Sequence, residues 1–499
     1  MPIVASGSTV VYMDPANSVF KSEAVEFNME DNSDLITNNA DFDCFKRIGS
    51  KYWNEGSTQG SLFKFTLRQI HEDHSFSSIC YDNPTFEGLM EKFLNEAYLA
   101  LIFLKHVKSL KMYVIEEGRS DLKEVFRIVA TDSVKNTFSE VVTKRVLEKD
   151  FSNIEKLSHQ IDLSQNFNGD IKHFTYVVSE HFGYKGDNEK FKQMMVDEEL
   201  SYVPLVSVAL PIQGEDPGGH LFSALPLPLQ IKCMTGIPAH INGFFALGQD
   251  RKDLKWKTLT ETSESNDKTV GWNQCLIKEI VPLVYMDLIK FLEESYTSDE
   301  VYMAWPCKKT VDNKWHIFLN EFYNLMSKVK FIYNHLSKGY LKVDEVCFIN
   351  PERFSTEDQK SAVSQFTELC SCLIAEVPLK LTNSFNDSLL HWVDSTKVLK
   401  MLQEGPQYFA SLVPTQQSMV LEYAINSSAD WSVLATTPIF KLVNGTCVSL
   451  SSCTTYLAKD EEMCNLIPSK DQLLDVSMFV DVGGSNQLIT SFESYIKEG

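Results

Sequence analysis

Gly218-Gly219-His220-Leu221-Phe222-Ser223-Ala224-Leu225-Pro226-Leu227-Pro228-Leu229-Gln230, followed from Thr235 by Thr-Gly-Ile-Pro-Ala-His-Ile-Asn-Gly-Phe-Phe-Ala-Leu-Gly-Gln-Asp-Arg-Lys-Asp-Leu-Lys-Trp256, is the most informative stretch of the chain. It holds no nucleophile paired with a base, no metal-ligand spacing and no phosphate loop. Its local physics is nevertheless readable. Pro226 and Pro228 cannot donate to a ladder, so they belong at a sheet edge or just past a strand end. Gly236-Ile237-Pro238 is turn chemistry. From His240 the pattern alternates, with Ile241, Phe245 and Leu247 on one face and His240, Asn242 and Phe244 on the other, which predicts a strand. Gly243 inside it predicts a bulge or a close backbone approach.

Outward from this stretch, strands and helices alternate irregularly. Ser8 to Tyr12 is a short β-branched run, and Asn28 to Asp43 reads as an Asn/Asp-rich loop. Within Gly60 to Arg68, Phe63, Phe65 and Leu67 share one face of an expected strand. Asn83-Pro84-Thr85 starts a long helix carrying Leu89, Phe93, Ala97 and Leu101 at the helical repeat. Strands follow at Lys111 to Ile115, Phe126 to Thr131, His173 to Ser179 and Tyr202 to Pro211, with a mixed, partly helical stretch from Ser133 to Leu157. Trp272 to Leu292 is helical, and Pro282 inside it predicts a kink. Beyond residue 310 helices dominate: Trp315 to Val329, Thr356 to Ala375, Ser395 to Gln403 and Thr415 to Ala424. Pro438 to Val448 reads as a hairpin around Asn444-Gly445.

The composition narrows the function classes. Lys and Arg total 46 against 67 Asp and Glu, a net charge of −21 that opposes phosphate backbones and excludes nucleic acid as an expected partner. The longest apolar run, Ala97 to Leu104, is too short for a membrane span. Eleven Cys without framework spacing, with Cys370-Ser371-Cys372 the only close pair, point to free thiols in a reducing compartment, hence a cytoplasmic protein. The sequons at Asn426 and Asn444 carry no meaning there.

Four segments together resemble the sacsin family: Gly60 to Arg68, Phe86 to Ile115, Gly219 to Trp256 with Trp272 and Asn273, and Pro438 to Ser451. The resemblance spans roughly residues 9 to 480. It implies that Gly60 to Arg68 is the last strand of a GHKL-type nucleotide-binding module. Two departures limit it. The acidic and Asn-bearing helix and the Asp-x-Gly-x-Gly motif of such ATPases do not precede Gly60, and Asp481-Val482-Gly483-Gly484-Ser485 has the wrong glycine spacing. The expectation is therefore a chain that starts inside the module, downstream of its nucleotide core, as a partial copy of one sacsin repeat. The expected fold class is α+β: an incomplete GHKL-like sheet remnant over 1–75, an α+β middle domain over 76–300, and a mostly helical region with a β-hairpin over 301–499.

No residue is assigned as catalytic, cofactor-binding or metal-binding. His71-Glu72-Asp73-His74 has two His three apart, but a metal site would need them on a helix with a third ligand, and the segment reads as a solvated loop after a strand. His220 and His240 converge in a pocket or satisfy turns and backbone carbonyls. Arg251 resembles, by position in a middle-domain motif, the arginine that neutralises a terminal phosphate in GHKL chaperones; the alternative is a surface residue beside Asp250 and Asp253. Trp315, Phe318 and Phe322 read as core. The resemblance implies a chaperone or co-chaperone module that binds client proteins or heat-shock-seventy-type chaperones without hydrolysing ATP. A degenerate GHKL-type ATPase and a non-functional fragment of a larger protein are the alternatives.

Overall fold

The computed structural model describes residues 2–14, 17, 19–49, 52–54, 56–67, 80–115, 122–131, 135–228, 234–256, 267–375, 377–425, 431–452, 455–457, 470–475 and 497–498. His71 to His74, the Asp481 to Ser485 segment and the sequon at Asn426 lie outside them.

Strands β1 (Ile3–Ser6), β2 (Thr9–Met13), β3 (Ala24–Asn28) and β4 (Ser61–Lys64) form an antiparallel sheet in the order β3-β2-β1-β4. Alternation sends Ile3, Ala5, Val10 and Tyr12 into a core with Phe42, Phe45 and Trp53. The loop expected over Asn28 to Asp43 instead contains α1 (Ser33–Asn38) and a 3-10 turn, Ala40–Phe42, with α2 (Asp43–Arg47) directly behind. Ile36 and Phe42 are fully buried, so two apolar anchors outweigh the polar residues around them. The Asn39 side chain caps the 3-10 turn by accepting the Asp41 N–H at 2.9 Å.

The long helix is α3 (Asn83–Ile102), capped by Asp82, whose carboxylate accepts the Thr85 N–H at 2.9 Å, with Pro84 in the first turn. It covers one face of an eight-stranded sheet. In chain order come β5 (Ser109–Val114), β6 (Lys123–Thr131), α4 (Lys135–Leu147), β7 (Glu155–Phe167), β8 (Asp170–Phe182), α5 (Glu189–Met195), β9 (Leu205–Gln213), β10 (Leu221–Ser223), β11 (Leu225–Pro226) and β12 (His240–Gly243). The order across the sheet is β11-β10-β12-β9-β8-β7-β6-β5, with only β10 and β12 parallel. Pro226 sits in the edge strand, where its missing N–H disturbs no ladder.

The two faces of this sheet carry separate cores. Leu94, Tyr98 and Leu101 of α3 pack on Phe126, Ile161, Phe174, Tyr176 and Phe222. On the opposite face, Val177, Val206, Val208 and Ile241 meet α6 (Lys268–Cys275) and α7 (Val281–Ser295) through Trp272, Val284, Tyr285 and Leu288. The helix expected from Trp272 to Leu292 is interrupted by a π-helical turn, Leu276–Ile280, and Pro282 lies in the first turn of α7. Proline is accommodated there because the wide turn directly before it has already interrupted the regular i to i−4 ladder.

The remaining elements are α8 (Ser298–Met303), α9 (His316–Met326), the hairpin β13 (Ile332–Asn334) and β14 (Gly339–Leu341), β15 (Cys347–Phe348), α10 (Glu357–Leu369), β16 (Ile374–Ala375), α11 (Leu379–Thr382), α12 (Ser395–Glu404), α13 (Pro406–Ala410), α14 (Pro414–Ile425) and α15 (Trp431–Thr436). Strands β17 (Phe440–Lys441) and β18 (Cys447–Val448) then close the expected hairpin, with Gly445 at φ +90°. The core that holds Trp272 runs from Phe138 to Leu390 and includes Trp315, Phe318 and Phe322. A second core gathers Val363, Phe366, Leu402, Phe409, Leu421 and Phe440. The whole is α+β.

Candidate functional site

Strands β8, β9, β10 and β12 bring the informative stretch together around one carboxylate. Asp216 Oδ2 accepts the Tyr176 hydroxyl at 2.5 Å and lies 2.8 Å from His240 Nε2, while Asp216 Oδ1 accepts the Gly218 N–H at 2.8 Å. The His220 backbone N–H donates to His240 Nδ1 at 3.2 Å. A backbone N–H can only donate, so Nδ1 is bare and the His240 proton sits on Nε2, facing Asp216. The His220 ring stacks on His240 at 5.2 Å, and Phe222 meets His240 edge-on at 5.5 Å.

Burial raises the Asp216 carboxyl, but the bonds from His240, Tyr176 and Gly218 outweigh it and hold the group below its usual range. Burial, reinforced by His240, pushes His220 down to about 4, so that ring is neutral at neutral pH. Burial and the facing Asp216 raise the Tyr176 hydroxyl. His220 and His240 therefore do converge. Asp216, His220 and His240 are also the one His/Cys/Asp/Glu group, among the described residues, with ligand atoms close enough to share a cation. Both nitrogens of His240 and both oxygens of Asp216 are already engaged, so a cation would have to displace those bonds. The cluster works as a hydrogen-bond hub that locks three strands and the Gly218 turn.

Gly218 has φ +69°, and a Cβ there would lie 2.0 Å from the Pro238 carbonyl oxygen; Gly236, also at φ +69°, would collide with Thr310 O at 1.9 Å. The strand expected to continue through Leu247 stops at Gly243. A Cβ at Gly243 would lie 2.9 Å from the Phe245 ring, the close approach that its place in the pattern implies. Past it, Leu247 pairs with Leu254 through a single antiparallel bridge, and side chains of α6 take up backbone groups that this short pairing leaves. Asn273 Oδ1 accepts the Ala246 N–H at 2.7 Å, and its Nδ2 donates to Ala246 O at 2.8 Å and Lys255 O at 2.9 Å. Trp272 Nε1 donates to Phe244 O at 2.8 Å. Two adjacent side chains thus bolt the whole stretch to the helix behind it.

Arg251 is exposed, at φ +54°, in a turn closed by its N–H to Gly248 O at 3.0 Å. Gly60 and Ser61 stand at the start of β4. Among the described residues that strand pairs only with β1, and Phe63, Phe65 and Leu67 are exposed.

Comparison with known proteins identifies the chain as sacsin-like: residues 1–127 match the Sacsin domain. The chain is also similar to sacsin of Homo sapiens, with 26% identity over 517 aligned positions that cover 94% of this chain and 11% of sacsin. It therefore spans 11% of the length of that curated relative. No solved structure matches it. The Trp272-Asn273 pair and the Gly218 to Trp256 stretch have a structural role in this architecture. Asp216 and Tyr176 escaped the sequence because only the pairing of β8 with β9 carries Tyr176 to the Asp216 loop.

Proposed function

We propose that the chain is a protein-binding module of sacsin-like type, acting in cytoplasmic protein folding and quality control and hydrolysing no ATP itself. The outer face of the four-stranded sheet carries this reading. Phe63 is 58% exposed and Phe65 68% exposed, and their rings stack 6.3 Å apart. Register sets Phe63 beside Val4 and Val4 beside Val11, so the apolar face is continuous across three strands. Among the described residues the far side of β4 has no strand partner. An open edge with aromatic side chains suits an extended segment added as a further strand, main-chain bonds giving affinity and side chains giving selectivity. Client proteins in non-native states offer such segments. The partners we propose are these clients and chaperones of heat-shock-seventy type, and the relation to sacsin supports this choice.

Light scattering from a heat-denatured enzyme tests the reading. The chain should suppress aggregation, and an F63D/F65D double variant that keeps its circular dichroism should not. Equal suppression by both, or by neither, overturns the proposal. Calorimetric titration with millimolar Mg-ATP should give no heat; saturable heat with phosphate release would favour a degenerate ATPase instead.

A further inference from the structure

A second cluster of reactive side chains lies at the seam between two cores, away from the Asp216 hub. Cys347 belongs to the helical core, while the next residue, Phe348, belongs to the core beneath the large sheet. Strand β15 pairs in parallel with β16, Cys347 against Ile374, and the Cys347 N–H donates to Leu373 O at 2.8 Å. This register lays Cys372 alongside Cys347, and the two sulfurs share a hydrogen bond. From α12, Lys397 sets its ammonium 2.8 Å from Cys347 Sγ. The root of that lysine is fixed, because its N–H donates to the capping Asp394 carboxylate at 2.8 Å. Cys347, Cys370 and Cys372 are all free thiols, Cys347 buried and the other two half-buried.

We propose that Cys347 and Cys372 form a peroxide-reactive dithiol that closes to a reversible disulfide, with Lys397 as the positioning residue that keeps Cys347 a thiolate. The hydrogen bond from Cys372, then the Lys397 ammonium and His391, hold the Cys347 thiol below its usual range against the opposing effect of burial. Cys372 keeps its proton, which it shares with Cys347. The thiolate of Cys347 attacks one oxygen of hydrogen peroxide; the O–O bond breaks, leaving a sulfenic acid on Cys347 and hydroxide, which takes a proton from solvent. The Cys372 thiol then attacks the Cys347 sulfur, its proton leaves with the sulfenic oxygen as water, and the disulfide forms. Two thiols lose two electrons and one peroxide becomes two waters. Peroxide, little larger than water, is the oxidant class that suits a site this enclosed.

The test treats the full chain with limiting hydrogen peroxide, blocks remaining thiols and reads intact mass and a peptide map. The expected result is a loss of about 2 Da before blocking and two fewer blocking groups after it, a Cys347–Cys372 cross-linked peptide pair, and full reversal by dithiothreitol. C372S should stop at a dimedone-trappable sulfenic acid on Cys347, and C347S should leave Cys372 unmodified. K397M should move the midpoint of the Cys347 alkylation pH profile upward by about one pH unit or more. Three outcomes overturn the proposal. They are a disulfide mapped to Cys370, a Cys347–Lys397 oxygen bridge with a gain of about 14 Da, and both thiols still alkylatable after peroxide. An unchanged profile in K397M removes Lys397 from the site.

Discussion

Replacing Asn273 by alanine asks how much one side chain adds where strand pairing thins to a single bridge, Leu247 to Leu254. Asn273 is 1% exposed and answers the Ala246 N–H, the Ala246 carbonyl and the Lys255 carbonyl at 2.7, 2.8 and 2.9 Å. N273A orphans the Ala246 N–H and the Lys255 carbonyl in a closed site, while the Ala246 carbonyl keeps the Lys255 N–H at 2.8 Å. Each orphan costs about 1–3 kcal/mol, but one water can enter the vacated volume and serve part of the need, so the expected loss is about 3 kcal/mol. N273D is the sharper variant. It still accepts the Ala246 N–H, yet it turns a carboxylate toward two carbonyl oxygens, and its cost at neutral pH should exceed that of N273A. Such a carboxyl has its pKa raised in the fold. Its protonated form restores one donor, so the N273D deficit should shrink as pH falls. Hydrogen–deuterium exchange over residues 244–256, with urea unfolding followed by tryptophan emission, reads both effects. A local loss of about 3 kcal/mol corresponds to roughly hundredfold faster exchange at the Ala246 amide. If N273A unfolds within about 1 kcal/mol of the parent and that exchange is unchanged, the reasoning is refuted.

His220 gives an acid-sensitive window. Its pKa falls from 6.5 to about 4 on folding, so its stability contribution is complete above 6.5 and is lost as pH drops toward 4. The gap corresponds to about 3 kcal/mol, and H220F should flatten the urea midpoint across that range while the parent declines. Asp216, lowered in the fold, adds its own loss only below the ordinary aspartate pKa of 3.8, so the two effects separate on the pH axis. Gly236→Ala should be far more damaging than Gly60→Ala. Both have positive φ, but a Cβ at Gly236 meets Thr310 O at 1.9 Å whereas Gly60 has nothing within 4 Å. We expect about 1 kcal/mol for Gly60→Ala and more than about 3 kcal/mol for Gly236→Ala, read as urea midpoints; equal losses would contradict the clash.

Local chemistry was legible in the sequence wherever one rule governed a segment. Pro226 marked an edge strand, Asn444-Gly445 a hairpin, and Asn83-Pro84 the start of α3. Segments governed by distant partners were not. Strand β7 escaped because His159 and Gln165 take inward positions that a simple apolar alternation assigns to hydrophobics. The readable signal there was Asn168-Gly169, whose φ values of 50° and 95° make the tight turn between β7 and β8. The run beyond Gly243 alternates like a strand, yet its backbone partners are divided between a single bridge to Leu254 and side chains on a helix, which no periodicity announces. The convergence of His220 and His240 could be posed from spacing but not decided, because the deciding partner, Asp216, is brought in by a turn that depends on Gly218.

The π-helical turn between α6 and α7 makes this part of the chain sensitive to length as well as to residue type. Each helical residue advances the side-chain direction by about 100°. The wide turn over Leu276–Ile280 inserts one extra residue, so it sets the angular phase between Trp272 and Asn273 ahead of it and Val284, Tyr285 and Leu288 behind it. Deleting any one residue there would give a more regular helix and a worse protein. Either Asn273 would swing away from Ala246, or the stripe of α7 would swing away from the sheet. In a deletion scan this short turn should tolerate conservative replacement and reject every one-residue loss, the reverse of how an exposed loop behaves.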